Sequence, residues 1–427
     1  MPPAVPAAHV APRRPPPFGS EVPFGEPYWY RDGLAAPPSF YGASHRAFRA
    51  KCRQFVEREL MPNVDAWEKE GAVPQDLPAR AYAAGVWSPV WEPNLVGFTP
   101  KGAPEGGADA FHDLIWLDEL ARTGSSGLFL SFTIYTMALP PVLNHGSEYV
   151  KRLVVRDVIE GRKGHALAIS EPWAGSDVAN IRTTATRDGD FFVVNGQKKW
   201  ITNAAPASWF TVAVRTGGAG MKGISLLLVD RNTPGIKVER MKLMGNWSAG
   251  TSIVTFEDAR VPVAHLIGEE NRGFAAIVTN FNHERFVLSA QANRASRLCV
   301  EEAARHARTR KTFGKKLGEH QVVRQKLAEM SMKVEAAHAL LEQCAYQMKA
   351  GVDAKLLGAQ VALLKVFCTR TLEFCAREAA QIFGGMSFTR EGKGRVVERI
   401  YREARALAIY GGSEEILLDL AMRQSKL

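Results

Sequence analysis

The chain has 427 residues, enough for two or three domains, and its 46% hydrophobic and 23% charged content is that of a globular protein. No stretch reads as apolar over the length a membrane-spanning helix needs, so no membrane span is expected. The net charge of +10 comes without a dense basic run interleaved with aromatic residues, so nucleic acid is not an expected partner; the charge reads as a surface rich in lysine and arginine, or as attraction for a nucleotide-bearing substrate.

Residues 1–40 hold eleven prolines and little periodic hydrophobicity, which predicts an extended arm. Tyr28, Trp29 and Tyr30 are expected to anchor its end. Arg13 and Arg14 are followed by three prolines, which argues against the amphipathic presequence of a mitochondrial matrix protein. Residues 41–165 read as helical, with Phe48, Cys52, Phe55 and Leu60 recurring at spacings of three to five. Over 166–268 the texture becomes strand-like. Apolar runs at 191–194, 209–214, 224–229, 236–238 and 252–256 predict an antiparallel β domain, and Asn195-Gly196 predicts a hairpin turn within it. Over 269–424 helices return. Val323, Leu327, Met330, Val334, Ala337, Leu341, Cys344 and Met348 form one stripe, with Gly351 as its terminating glycine, and Leu357 to Ile382 forms another. The five cysteines include no C-x-x-C pair, so neither a metal site nor a disulfide framework is read, and the compartment is taken as reducing or redox-neutral.

Gly218-Ala-Gly220-Met-Lys-Gly223 matches G-x-G-x-x-G but precedes a strand, not a helix, and is read as a hairpin loop. Ser170 to Asp177 is rich in small residues. It reads either as a structural loop or as a phosphate or flavin site built on Ser176 and nearby N–H groups. Trp200 and Thr202, two apart at a strand end, would share one face. They suit either half-buried packing or a flat hydrogen-bonding ring.

The run from Ala168 to Ala204 resembles the first signature of the acyl-CoA dehydrogenase family. Three further segments agree in order and spacing: Arg310-Lys-Thr-Phe-Gly314 with Gln321, Gln381 to Gly385, and Arg399 to Arg405. The resemblance spans about 40 to 423. It implies an α+β fold: a helical N-terminal domain, an antiparallel β middle domain and a C-terminal four-helix bundle. It implies FAD as cofactor and an acyl-CoA as substrate. On it, Ile169 and Ser170 would meet the flavin pyrimidine edge, with Gly175 and Ser176 beside the phosphate or the substrate. Trp200 would lie along the flavin ring, followed by Ile201, and the Thr202 hydroxyl would approach N5. Arg310, Thr312, Phe313, His320, Gln321, Gln381, Gly384 and Gly385 would reach FAD bound mainly to a neighbouring subunit, which implies a homotetramer or homodimer. Ser413 and Glu415 would also approach the cofactor. Asn282, Arg285, Tyr410, Gly411 and Gly412 would contact substrate.

The reaction needs a carboxylate base. Most chains resembling this one place a glutamate in an Ile-Tyr-Glu-Gly-Thr segment, whereas this chain has Ile409-Tyr410-Gly411-Gly412-Ser413. A minority, of isovaleryl- and long-chain type, carry the base on an earlier helix just before the substrate-contacting arginine. Here that segment is Asn282-His283-Glu284-Arg285, so Glu284 is the expected base and His283 a neighbour beside the site. The final Ser425-Lys426-Leu427 has the form of a peroxisomal address, which in a eukaryote implies a peroxisomal import receptor as partner. Electrons would pass to an electron-transfer flavoprotein or to molecular oxygen. The competing readings are an oxygen-using oxidase or other flavoprotein of the family and, more remotely, a DNA-associated protein of the alkylation-response branch.

Overall fold

The computed structural model describes residues 22–27, 40–88 and 90–425. Tyr28, Trp29 and Tyr30, the arm before Val22, and Lys426 and Leu427 of the terminal tripeptide lie outside the described residues.

The N-terminal helices are led by α1 (Ala43–Phe55), α2 (Ala110–Ala121), α3 (Ser126–Thr133) and α4 (Glu148–Ile159). Phe48, Cys52, Phe55 and Leu60 are all buried, as their spacing predicts. The starts of the helices are fixed by their sequence. The Asp109 carboxylate accepts the Phe111 and His112 N–H groups, and the Ser125 hydroxyl accepts that of Leu128. One expectation is corrected here. Ser126–His145 is a 20-residue stretch of mean hydropathy 1.4, long and apolar enough to cross a membrane. It is 94% buried and broken at Ile134 and Leu139 into three short helices. Its apolarity serves the packing between the N-terminal helices and the sheet, where Thr211 donates to the Ala138 carbonyl at 2.9 Å.

The arm is anchored by Glu26. Val22 and Glu26 are buried, and the Glu26 carboxylate meets Arg53 at 2.9 Å, Arg294 at 3.1 Å and Arg49 at 3.5 Å. Asp118 and Glu119 of α2 complete the cluster, with Glu119 2.6 Å from both Arg49 and Arg53. Burial pushes both carboxyls up. The guanidiniums outweigh it, Arg294 and Arg49 holding Asp118 well below the carboxylate range, and Arg49, Arg53 and Arg122 holding Glu119 down to about 2.

The middle domain is one sheet built from β1 (His165–Ala168), β2 (Thr184–Asp188), β3 (Phe191–Ile201), β4 (Trp209–Arg215), β5 (Ile224–Asp230), β6 (Ile236–Arg240), β7 (Ser252–Pro262) and β8 (Leu266–Ile267). The order is β6-β7-β3-β2-β4-β5-β8, with β1 added beside β4. The sheet is antiparallel except where β4 meets β1 along its length and β2 at one residue pair, both parallel. Asn195-Gly196 is not a hairpin turn. β3 runs through it, with a bulge against β7 between Val194 and Gly196. Gly196 lies at φ +142°, and a Cβ there would fall 2.6 Å from the Thr183 Cα. The dipeptide permits positive φ, and here that freedom serves a bulge and a close strand approach. The hairpin falls earlier, at Gly189-Asp190, with Gly189 at φ +57°. Gly218 to Gly223 is the loop between antiparallel β4 and β5, as its context predicts.

The C-terminal bundle comprises α5 (Phe281–Thr309), α6 (Gln321–Lys349), α7 (Ala354–Phe383) and α8 (Arg395–Ile409), with α9 (Glu414–Gln424) as a fifth helix packed on α7 through Ala362, Val366, Leu417 and Ala421. Met330, Val334, Ala337, Leu341 and Cys344 of α6 are buried, and Gly351 follows it at φ +73°. All five cysteines are free and buried.

Candidate active site

The loop from Ile169 to Asp177 is fixed to β3 by a fully buried ion pair. The Lys198 ammonium donates to the Glu171 carboxylate at 2.8 Å and to the Ile169 carbonyl at 2.9 Å. Glu171 also accepts the Arg182 and Thr183 N–H groups, and the Lys199 N–H donates to the Ser170 carbonyl. Burial lowers the Lys198 ammonium to about 8, against the pull of Glu171. This brace keeps Ile169 buried and leaves Gly175 and Ser176 exposed, with open space where a Gly175 side chain would be. Trp200 corrects the strand argument. It lies at φ +60°, so simple alternation does not align it with Thr202, which sits in the turn after β3. The residue is 47% exposed, with the Lys199 ammonium 5.0 Å from the ring centroid. A half-exposed indole on a braced strand end, beside an open small-residue loop, fits a flat anionic cofactor. Lys198→Met is expected to weaken FAD retention by about tenfold, because the Ile169 carbonyl and the Glu171 carboxylate lose their shared donor; equilibrium flavin release measures it.

Glu284 lies in the first turn of α5 and is buried, and desolvation raises its carboxyl to about 7. Arg285 is buried beside it. Its Nη1 donates to Asn282 Oδ1 at 3.2 Å, while its Nε has no hydrogen-bond partner among the described residues. Asn282 in turn donates to the Ala354 carbonyl at the start of α7. His283 is turned toward α2, with Nε2 2.8 Å from Asp113. Burial would lower the imidazole; Asp113 and then Glu284 raise it instead.

Gly411 faces the same stretch of α5. Its φ is +70°, and a Cβ there would lie 2.3 Å from Leu288 Cδ1, one turn along from Glu284. The space that a side chain at 411 would need is filled by Leu288. Gly411→Ala is expected to cost about 1–3 kcal/mol from the left-handed backbone alone, read by chemical unfolding. The loop is held from both sides. The Tyr410 hydroxyl is 3.0 Å from that of Ser126, which also accepts from Gln291 at 2.7 Å, and the Lys365 ammonium donates to the Gly412 carbonyl at 2.9 Å. Burial pulls Lys365 down to about 8. Glu403 of α8 joins the three domains by accepting the Ser126 N–H at 2.8 Å and the Asn246 N–H at 3.1 Å.

A second group does not reach this site within one chain. Arg310, Phe313, Gln321, Gln381, Gly384 and Gly385 are exposed, Phe313 at 97%, with Thr312 and His320 half-buried and 3.4 Å apart. His306 stacks on Phe383 at 4.4 Å, which brings the two segments into one patch. Arg310 follows the end of α5, and the helical rise from Glu284 to Thr309 is about 38 Å. Such a patch, distant from Glu284 and open, fits completion of a site on another subunit. Ser413 and the exposed Glu415 flank the start of α9.

Several supporting residues escaped the sequence reading. Lys365 was legible as a lysine inside the apolar stripe of α7. Glu403 stands within the Arg399–Arg405 segment but had no assigned task. Leu288, Gln291, Ser126 and Asn280 carry no sequence signal of their own. His45, Asp109 and His112 gather three metal-ligand atoms, but the Lys349 ammonium, 2.7 Å from Asp109, and the stacked imidazoles make this a helix cap.

Helical domain, central sheet and helical bundle around a braced indole and a buried carboxylate fit a flavin-dependent oxidoreductase. The N-terminal, middle and C-terminal domain profiles of acyl-CoA dehydrogenase match residues 42–162, 166–259 and 271–426. The chain is 40% identical to "Acyl-CoA dehydrogenase AFT10-1" of Alternaria alternata over 96% of this chain and 97% of that protein. It superposes on a probable acyl-CoA dehydrogenase from Mycobacterium abscessus with a TM-score of 0.84 and 36% identity, covering 90% of this chain and 99% of that one. A glutaryl-CoA dehydrogenase from Mycobacterium smegmatis, solved with FADH2, matches at a TM-score of 0.80 and 25% identity over 90% and 95% of the two chains. The chain belongs to the acyl-CoA dehydrogenase family of FAD-dependent oxidoreductases.

Proposed function

We propose that this protein removes the α and β hydrogens of an acyl-CoA thioester to give the 2-enoyl-CoA, with Glu284 as the base. One observation carries the reading. The buried carboxylate raised toward neutrality stands on the same face of α5 as Leu288, which fills the place that a side chain at 411 would occupy.

The Glu284 carboxylate takes the α proton. Its raised pKa matches a base working near neutrality. The Gly411 N–H would polarise the thioester carbonyl from a loop pinned by Tyr410 and Lys365. Arg285 offers an unpaired donor to the substrate, and Asn282 fixes its guanidinium. The Ile169–Ser176 loop and Trp200 would hold FAD, which when bound would supply the hydride acceptor. Electrons then leave to an electron-transfer flavoprotein or to oxygen.

The test is anaerobic mixing of the FAD-loaded protein with straight-chain and branched acyl-CoAs while flavin absorbance is followed. Bleaching by a subset with formation of enoyl-CoA supports the reading; no bleaching by any acyl-CoA overturns it. Admitting air afterwards separates the acceptors, because rapid reoxidation with peroxide formation marks an oxidase.

A further inference from the structure

Asparagine is among the favoured residues at the position before a helix, where its side chain ordinarily caps the first N–H groups. Asn280 holds that position before α5 and makes no such cap. Its amide nitrogen instead donates to the Thr136 carbonyl at 3.0 Å and reaches Glu284 Oε1 at 3.4 Å. The orientation is fixed by chemistry. A backbone carbonyl only accepts, so the NH2 end must face Thr136, and its second hydrogen is then available to the carboxylate. The backbone carbonyl of Asn280 accepts the Glu284 N–H at 3.1 Å, the first helical hydrogen bond of α5.

We infer that Asn280 is the positioning residue of the base: clamped by the Thr136 carbonyl, it holds the Glu284 carboxylate and favours its ionised form. The inference rests on the assignment of Glu284 above. The charges near Glu284 do not replace this contact. His283 and Arg285 share its helix; α2 contributes Asp113, which is committed to His283, and Glu92 acts on the same imidazole. Lys365 of α7 is turned to the Gly412 carbonyl and is repelled by Arg285. The short helix Tyr135–Ala138 offers the Thr136 carbonyl. Of these contacts, the hydrogen bond to the carboxylate itself comes from Asn280. It opposes the desolvation that raises the carboxyl to about 7.

The test follows the infrared carbonyl stretch of the protonated Glu284 carboxyl, identified as the band that Glu284→Gln removes, as pH varies in the FAD-loaded protein. Asn280→Ala is expected to raise its midpoint by about 0.5–1 pH unit. Asn280→Asp keeps the shape and is also a favoured residue before a helix, but it sets a second carboxylate beside the first, and is expected to raise the midpoint by more than about 1 unit. The pH profile of flavin reduction should move the same way, with its high-pH plateau within about threefold of the native value. A midpoint unmoved in both variants, or a collapsed plateau with an unmoved midpoint, overturns the inference and leaves Asn280 structural. Flavin reduction by Glu284→Gln at the native rate would instead overturn the assignment of the base, while the infrared midpoint still reports on Asn280.

Discussion

Glu284→Gln is expected to slow anaerobic flavin reduction by a responsive acyl-CoA by about 10²- to 10⁴-fold, the range that a general base supplies. The glutamine amide keeps the volume and an oxygen for Asn280, so the variant should fold and hold FAD. Two pH effects accompany it. In the native protein the rate should fall as pH drops through about 7, because the base is then protonated, and this limb should vanish in the variant. The second effect concerns stability. The folded carboxyl is raised above its unfolded value, so ionisation opposes folding: the penalty grows as pH rises from the ordinary carboxylate range to about 7 and stays constant above it. Glu284→Gln removes that penalty. Denaturant unfolding should find the variant more stable than the native protein at pH 8, with the gap closing toward pH 5.

Arg294→Leu should have the largest effect on stability. Arg294 is 1% exposed; it donates to both oxygens of Asp118, at 2.7 Å through Nε, and to Glu26 at 3.1 Å. Its loss leaves Asp118 on Arg49 and Glu26 on Arg53 and Arg49, so the buried cluster has one compensating charge fewer, a cost of about 3 kcal/mol, the low end of the range for breaking a buried ion pair. Against a typical total of about 5–15 kcal/mol, that is a large fraction. Asp118→Asn added to Arg294→Leu should recover part of it, because a neutral amide is cheaper to bury than a carboxylate that has lost one of its two guanidiniums. The acid limb follows with the opposite sign to Glu284. Asp118 and Glu119 are depressed in the folded protein, so their contribution is present above the ordinary carboxylate range and is lost as pH falls toward about 2. Unfolding curves at pH 7 and pH 3 test both statements.

The three-part architecture was legible because its signals are local. The stripe from Val323 to Met348 and the short β runs follow their own periods whatever they pack against. Asn195-Gly196 misled because positive φ serves a bulge as well as a turn, and only the β7 pairing decides between them. Trp200 misled because alternation assumes extended backbone, and that residue leaves it. The membrane-length apolarity of Ser126–His145 stands in the sequence itself, whereas its burial and its breaks at Ile134 and Leu139 belong to the packing. At the site, Glu284 was legible as the candidate base from the missing glutamate at 411 together with Asn282-His283-Glu284-Arg285, and its burial was not. The crowding at 411 was not legible, since it needs Leu288, 123 positions away in the chain, placed against Gly411 by tertiary packing. Asn280, Ser126 and Gln291 were invisible for the same cause. Each is an ordinary polar residue until the fold sets a carbonyl, a hydroxyl or a carboxylate beside it.

The central claim is that the proton leaves through Glu284. The direct measurement is exchange of the α proton with D2O in a bound acyl-CoA analogue whose β-methylene is replaced by oxygen or sulfur, so that the proton can leave and no hydride can follow. The FAD-loaded native protein should exchange it, and Glu284→Gln should bind the analogue with exchange slowed by about 10²-fold or more. Exchange in Glu284→Gln at the native rate would contradict the account and place the base elsewhere.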